Sequence, residues 1–109
     1  MLQTLFGSKK KEQILLYLAA RKEGYAREIA KYYSSSLSPF QRQLDRLEMG
    51  GILLSKSFGK TRIYYFNPRF PFLKELIVLL EKAIQFLPAG EREELLMVRK
   101  RPRRKGKPL

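Results

Sequence analysis

At Gly50-Gly51 the periodicity of the chain changes, and this change restricts the fold more than any other feature. Before it, apolar residues recur at helical spacing. After it come two β-prone runs, Ile52 to Ser57 and Thr61 to Phe66, the second reading Thr-Arg-Ile-Tyr-Tyr-Phe. Phe58-Gly59-Lys60 between them is a short loop with a glycine, which predicts a hairpin. Asn67-Pro68 ends the second run, because proline cannot donate to a strand ladder.

Upstream, Ser8 is placed to cap a helix from Lys9 to Ala20 with an apolar stripe of Ile14, Leu15 and Leu18. Gly24 ends that helix or begins the next turn. A second helix spans Tyr25 to Tyr33, with Ala26, Ile29, Ala30 and Tyr33 at i, i+3, i+4 and i+7. Ser34 to Ser36 break the pattern and offer turn chemistry. A third helix runs to Met49 on Phe40, Leu44 and Leu47. It begins either after a Ser36 cap with Pro39 in the first turn, or after a Ser38 cap with Pro39 at the first helical position. Downstream, Pro71 opens a long helix from Phe72 to Leu87, and Pro88 stops it. One more short helix fits Glu91 to Val98, and Arg99 to Leu109, with two prolines and a glycine, is expected to be disordered.

The order is helix, helix, tight turn, helix, hairpin, helix. Two short helices joined by a tight turn make a DNA-reading unit, and the strands that follow make a wing. The predicted fold is therefore mainly α with a β-hairpin wing, a winged helix-turn-helix. Residues 1–87 form that domain with dimerising terminal helices, residues 88–98 hold the short helix, and residues 99–109 are the tail.

The chain has no cysteine and no histidine. Disulfides, thiolate metal sites and His-based catalytic triads are excluded, and zinc lacks its usual Cys and His ligands. No phosphate-binding glycine loop is present, and Glu93-Glu94 lie in polar helical sequence. No enzyme, cofactor or metal has a residue constellation behind it. The most apolar stretch, Phe70 to Leu87, carries four charges and cannot span a membrane. Met1 to Gly7 do not resemble a signal peptide, so a cytoplasmic location is expected. Charge is more informative. The net charge is +13, and seven of the 23 basic residues lie beyond Val98, where there is no acid. The remaining residues hold sixteen basic and ten acidic side chains, so the body is basic without its tail.

At 100° per residue, Phe40, Leu44 and Leu47 cluster on one side of the third helix. Ser38, Arg42, Asp45 and Met49 fall opposite, flanked by Gln41 and Arg46, with Ser36 at the start. Arginine suits guanine, glutamine suits adenine, and a carboxylate accepts from cytosine. Asp45 is placed to pair with Arg42 three residues earlier. Lys56, Lys60 and Arg62 crowd the hairpin tip, and Arg27 and Lys31 are further phosphate candidates. The Phe72 to Leu87 helix is apolar nearly all round, which predicts a homodimer through Leu73, Leu76, Ile77, Leu80 and Ile84, with Leu15 and Leu18 of the first helix.

Ala26-Arg-Glu-Ile-Ala-Lys31, Leu44-Asp-Arg-Leu-Glu-Met-Gly-Gly-Ile-Leu-Leu54 and Arg62-Ile-Tyr-Tyr-Phe-Asn-Pro68 resemble ArsR-like winged helix-turn-helix transcriptional regulators. Leu5-Phe-Gly-Ser8 and Pro71-Phe-Leu-Lys-Glu-Leu76 are similar to a subgroup often encoded beside nucleotidyltransferases, which implies a protein of that type as a neighbour. The resemblance covers residues 5–87. It implies that residues 37–49 read the major groove and residues 55–62 touch backbone or minor groove. It further implies that residues 8–20 and 72–87 dimerise. Two departures stand out. Ser34 and Ser35 occupy a turn where the family has a glycine and an apolar residue, and the Cys and His of metal-sensing members are absent.

Together these readings predict a dimeric, sequence-specific binder of double-stranded DNA that regulates transcription, most simply as a repressor. Two rivals share the same features. One is a non-specific nucleic-acid-binding protein dominated by its tail; the other is an antitoxin-like interaction adaptor using the leucine-rich helix.

Overall fold

The computed structural model describes residues 1–97. Helices α1 (Gln3–Phe6) and α2 (Lys9–Arg21) lead into strand β1 (Glu23–Tyr25), followed by α3 (Ala26–Tyr32) and α4 (Leu37–Met49). Strands β2 (Leu53–Phe58) and β3 (Thr61–Phe66) form the hairpin, and α5 (Leu73–Gln85) and α6 (Ala89–Leu96) close the chain. The predicted tail, from Arg99 onward, and Val98 lie outside the described residues.

The centre of the fold is α2. Ser8 caps it, its hydroxyl accepting from the Lys11 amide at 3.2 Å. Six consecutive residues, Ile14 to Ala19, are buried, so the stripe expected from the sequence widens to the whole circumference. A helix apolar all round belongs in a core, and α1, α4, α5 and α6 all pack against this one.

Chain ends of helices explain the turns. After α3, the Ser34 amide donates to the Lys31 carbonyl (3.0 Å) and the Ser35 amide to Ala30 (2.9 Å). This is a Schellman cap, and it sets Ser34 at φ +52°, the left-handed region that glycine normally occupies. The same two bonds recur after α4, from Gly51 to Glu48 and from Ile52 to Leu47, with Gly51 at φ +83°. Serine thus fills at the first turn the role that glycine fills at the second. Of the two starts considered for α4, the structure takes the earlier: Ser36 is the N-cap residue, and Pro39 sits in the first turn, where no amide is needed.

The sheet has three strands, ordered β1-β3-β2 and antiparallel throughout. Strand β1 is not apparent from the sequence, which assigns Gly24 to a turn and Tyr25 to a helix. Its pairing partner, β3, lies some forty residues away, with Glu23 opposite Tyr65 and Tyr25 opposite Ile63. Gly24 is required there by space, because a Cβ would stand 2.8 Å from Cε1 of Tyr17. Asn67 fastens the open end of the hairpin, its side-chain amide donating to the Gly51 carbonyl at 2.9 Å.

Helix α5 packs Leu80, Ala83 and Ile84 inward. Helix α6 starts two residues earlier than the sequence suggests, directly after Pro88. Its last carbonyls are held by Arg21, which donates to Leu95 O (3.0 Å) and Glu94 O (3.1 Å). That guanidinium also lies over the rings of Tyr17 and Tyr32, at 4.9 and 5.0 Å from their centroids.

Candidate nucleic-acid interface

Helix α4 presents the two faces its sequence predicts. Phe40, Leu44 and Leu47 are buried, while Ser36, Ser38, Arg42, Asp45, Arg46 and Met49 are exposed. Arg42 has no hydrogen-bond or ion-pair partner among the described residues, so its five donors face water. The expected pairing of Asp45 with Arg42 does not occur. Instead Gln41 Nε2 donates to Asp45 Oδ1 (3.1 Å), and Tyr64 Oη donates to the same oxygen at 3.3 Å. Tyr64 reaches this position from the helix-facing side of β3. Gln41 is accordingly half-buried rather than free, its Nε2 also donating to Tyr64 Oη at 3.0 Å. Burial raises the Tyr64 phenol above its usual range, and the charges of Asp45 and Glu48 push the same way against the Gln41 hydrogen bond.

Between the start of α4 and the wing lies a groove of about 290 Å³. Arg27 of α3, Leu37 and Gln41 of α4, and Lys60, Arg62 and Tyr64 of the hairpin line it, and no carboxylate does. Residues far apart in sequence thus place three cations beside the N-terminal end of a helix, where unpaired amides add positive potential. Arg62 is held in place by a relay. It donates to Ser55 Oγ at 2.8 Å, and that hydroxyl donates to Glu48 Oε2 at 2.7 Å. Wing and helix are joined at both ends of the site.

Not every candidate cation comes to this groove. Lys56 points to the opposite face of the sheet, over the rings of Phe58 and Tyr65 at 5.4 and 5.2 Å. The reason is register. Phe58 pairs with Thr61, so the loop is the two residues Gly59-Lys60 and Lys56 stands opposite Ile63, not Arg62. A three-residue loop over Phe58-Gly59-Lys60 would have aligned Lys56 with Arg62; one residue of difference turns the side chain to the other face. Lys31 lines a separate hollow with Glu28 and Glu94. Arg46 stands on another flank of α4, at the rim of an apolar hollow of about 590 Å³.

The proposed dimer residues divide. Leu15, Leu18, Leu80 and Ile84 are buried in the chain's own core and cannot form an interface in this arrangement. They pack between α2 and α5, so the first helix of the body is interior rather than terminal. Leu73, Leu76 and Ile77 are half-buried. On and beside α5 the exposed apolar residues are Phe72 (65%), Val78 (59%) and Phe86 (72%). Among the described residues, no helix is long and apolar enough to cross a membrane.

No protein-family model and no curated protein matches the chain. Solved structures do. Reduced HlyU from Vibrio cholerae is 18% identical and matches with a TM-score of 0.59, covering 77% of this chain and 82% of its own. The YusO protein from Bacillus subtilis is 18% identical with a TM-score of 0.59, over 90% of this chain and 77% of its own. A homodimeric winged helix-turn-helix DNA-binding domain from Mycobacterium bovis, a possible ArsR-family transcriptional regulator, is 20% identical. It matches with a TM-score of 0.56 over 81% of this chain and 80% of its own. These likenesses establish the fold as a winged helix-turn-helix. They lend no support to the nucleotidyltransferase-type neighbour that the sequence resemblance implies.

Proposed function

We propose that this winged helix-turn-helix chain is a DNA-binding transcriptional regulator of the ArsR-like kind, cytoplasmic, and acting as a dimer that represses a promoter rather than catalysing a reaction. The observation that carries the proposal is the groove of Arg27, Lys60 and Arg62, together with the exposed Arg42, which has no partner among the described residues. Cations grip two phosphate backbones while the helix between them meets base edges, so one surface supplies both affinity and sequence reading. Ser36 and Ser38, exposed at the helix start, add short hydroxyl donors beside the amides of the first turn. In the dimer, two α4 helices about 34 Å apart meet successive major grooves of a palindromic site.

Selection of binding sites from random duplex DNA at physiological salt tests this function. A two-fold symmetric motif is the expected result. Retention of all sequences alike, with a steep salt dependence and no motif, would replace it with backbone binding.

A further inference from the structure

The outward face of α4 is less free to read bases than its composition suggests. Gln41, Asp45 and Tyr64 close a hydrogen-bonded triangle with sides of 3.1, 3.0 and 3.3 Å. Tyr64 is 1% exposed and fixed on the sheet, so the triangle has a rigid corner. Its phenol, raised by burial, keeps its proton at neutral pH and serves as donor to the carboxylate. With a carboxylate and a phenolic oxygen to hold it, the amide nitrogen of Gln41 is turned into the protein. The amide oxygen of Gln41 has no partner among the described residues. One oxygen of Asp45 is likewise engaged, which removes it from the set of free acceptors.

We propose that Gln41 reads its base pair as a hydrogen-bond acceptor only, taking the exocyclic amino group of an adenine or a cytosine in the major groove, with Tyr64 and Asp45 as the residues that position it. This inference rests on the DNA-reading function proposed above. A free glutamine contacts adenine with both ends of its amide, accepting from N6 and donating to N7. The triangle spends the donating end inside the protein. What remains matches the amino groups of adenine and cytosine, which are the hydrogen-bond donors of the major groove. Gln41 thus takes an acceptor role beside Asp45, whose second carboxylate oxygen stays free among the described residues.

Selection with the wild type and with Gln41→Ala locates the pair, since the variant loses preference at one position per half-site. At that pair, a 7-deazapurine lacks N7 and keeps the exocyclic group, and it should change the wild-type Kd by less than about twofold. Removing the amino group of the adenine or cytosine should weaken binding about three- to tenfold, the size of one neutral hydrogen bond. Tyr64→Phe keeps the ring and removes one of the two acceptors that hold the amide, freeing one N–H. It should make binding sensitive to the 7-deaza substitution while the base preference at the position read by Arg42 stays unchanged, a pattern that general loosening of the fold does not produce. Once Gln41→Ala has located the pair, the analogue arm uses wild-type protein only, so it decides the matter even where Tyr64→Phe destabilises the domain. Wild-type sensitivity to N7 at that pair, or a Gln41→Ala motif identical to the wild type, overturns the inference and leaves DNA reading standing. A wild type that selects no motif overturns both.

Discussion

Arg42 and Lys60 belong to the same proposed site but differ in what a substitution should cost. Arg42 is exposed on the face of α4 opposite Phe40 and Leu44 and has no partner among the described residues, so none of their bonds needs to be broken before it binds. A guanidinium in that position makes two hydrogen bonds to one guanine, worth roughly 1–3 kcal/mol of discrimination. Arg42→Ala is therefore expected to relax preference at one position per half-site and leave thermal unfolding unchanged. Lys60, at the tip of the two-residue turn, serves as a point charge; Lys60→Ala should weaken all sequences about equally and reduce the salt slope by about 1. Quantitative binding to a panel of single-base variants reads both, and equal, uniform losses from the two substitutions would deny α4 its reading role. Ser34 tests the turn in front of that helix. A non-glycine residue in the left-handed region costs roughly 1–2 kcal/mol, part of which the extra freedom of glycine in the unfolded chain cancels. Ser34→Gly should raise stability by about 0.5–1 kcal/mol, seen as a higher urea midpoint at constant slope. A lowered midpoint would mean that the serine hydroxyl contributes something the backbone geometry does not reveal.

At the scale of elements, α2, α3 and α4 are joined by a column of rings. Tyr17 meets Tyr32 at 5.5 Å, Tyr32 meets Tyr33 at 4.8 Å, and Tyr33 stacks on Phe40 at 6.0 Å. Two of these phenols give the fold an alkaline limit. Burial, helped by the Glu28 charge, raises Tyr17 to about 12, and burial raises Tyr33, whose hydroxyl donates to the Gln13 carbonyl at 3.1 Å. The unfolded chain releases these protons near pH 10, whereas the folded one keeps them. Their contribution is therefore complete below pH 10 and is lost as the pH rises from 10 toward the folded values. Each phenol should lower stability by about 1.4 kcal/mol per pH unit in that window. Lysine deprotonation relieves self-repulsion over the same range, so the measurement is a difference. Urea unfolding at pH 9, 10 and 11 should show a flatter loss for Tyr33→Phe than for the wild type, and parallel curves would contradict the argument. The same elements show what the sequence could and could not convey. Helices α2 to α5 and the hairpin carry their period in apolar residues and are legible. Strand β1 is three residues with a glycine, too short for any period, and its place is set by Tyr17 and β3. The wing cations were legible as charges but not as a surface. Whether Lys56 joins Arg62 depends on one residue of loop length, and strand parity amplifies that into opposite faces. The Gln41–Asp45–Tyr64 triangle was hidden for a similar reason: the helix supplies two corners at i and i+4, but the third comes from a strand.

The whole molecule leaves apolar surface that one chain does not cover. Leu73, Leu76 and Ile77 are half-buried, and Phe72, Val78 and Phe86 are exposed. Beside them an apolar hollow of about 590 Å³ runs between α1, the end of α4 and the start of α5, where Leu5 and Phe6 meet Phe70 and Leu76. Exposed aliphatic and aromatic surface of this kind marks an interaction site. In the proposed dimer a two-fold partner would cover it with the same residues from a second copy. This placement differs from the one the sequence suggests, because the inner stripe of α5 is committed to α2 and only the outer one remains. Net charge opposes association, since two chains of +13 repel, and DNA between them relieves that repulsion. The dimer should therefore tighten on duplex DNA and at moderate salt. Phe72 is the residue to change: it is 65% exposed and lines the hollow, so a substitution there should leave the fold of the protomer largely intact. An interface of at least about 1,000 Å² is needed for a stable pair, and a carboxylate near its centre would be buried without a partner. Sedimentation at tens of micromolar should show a dimer for the wild type and a monomer for Phe72→Glu, with matching circular dichroism. The variant should also lose the affinity gained from having two half-sites on one duplex, while keeping that for a single half-site. A wild type that stays monomeric with and without DNA would show that α5 faces some other partner.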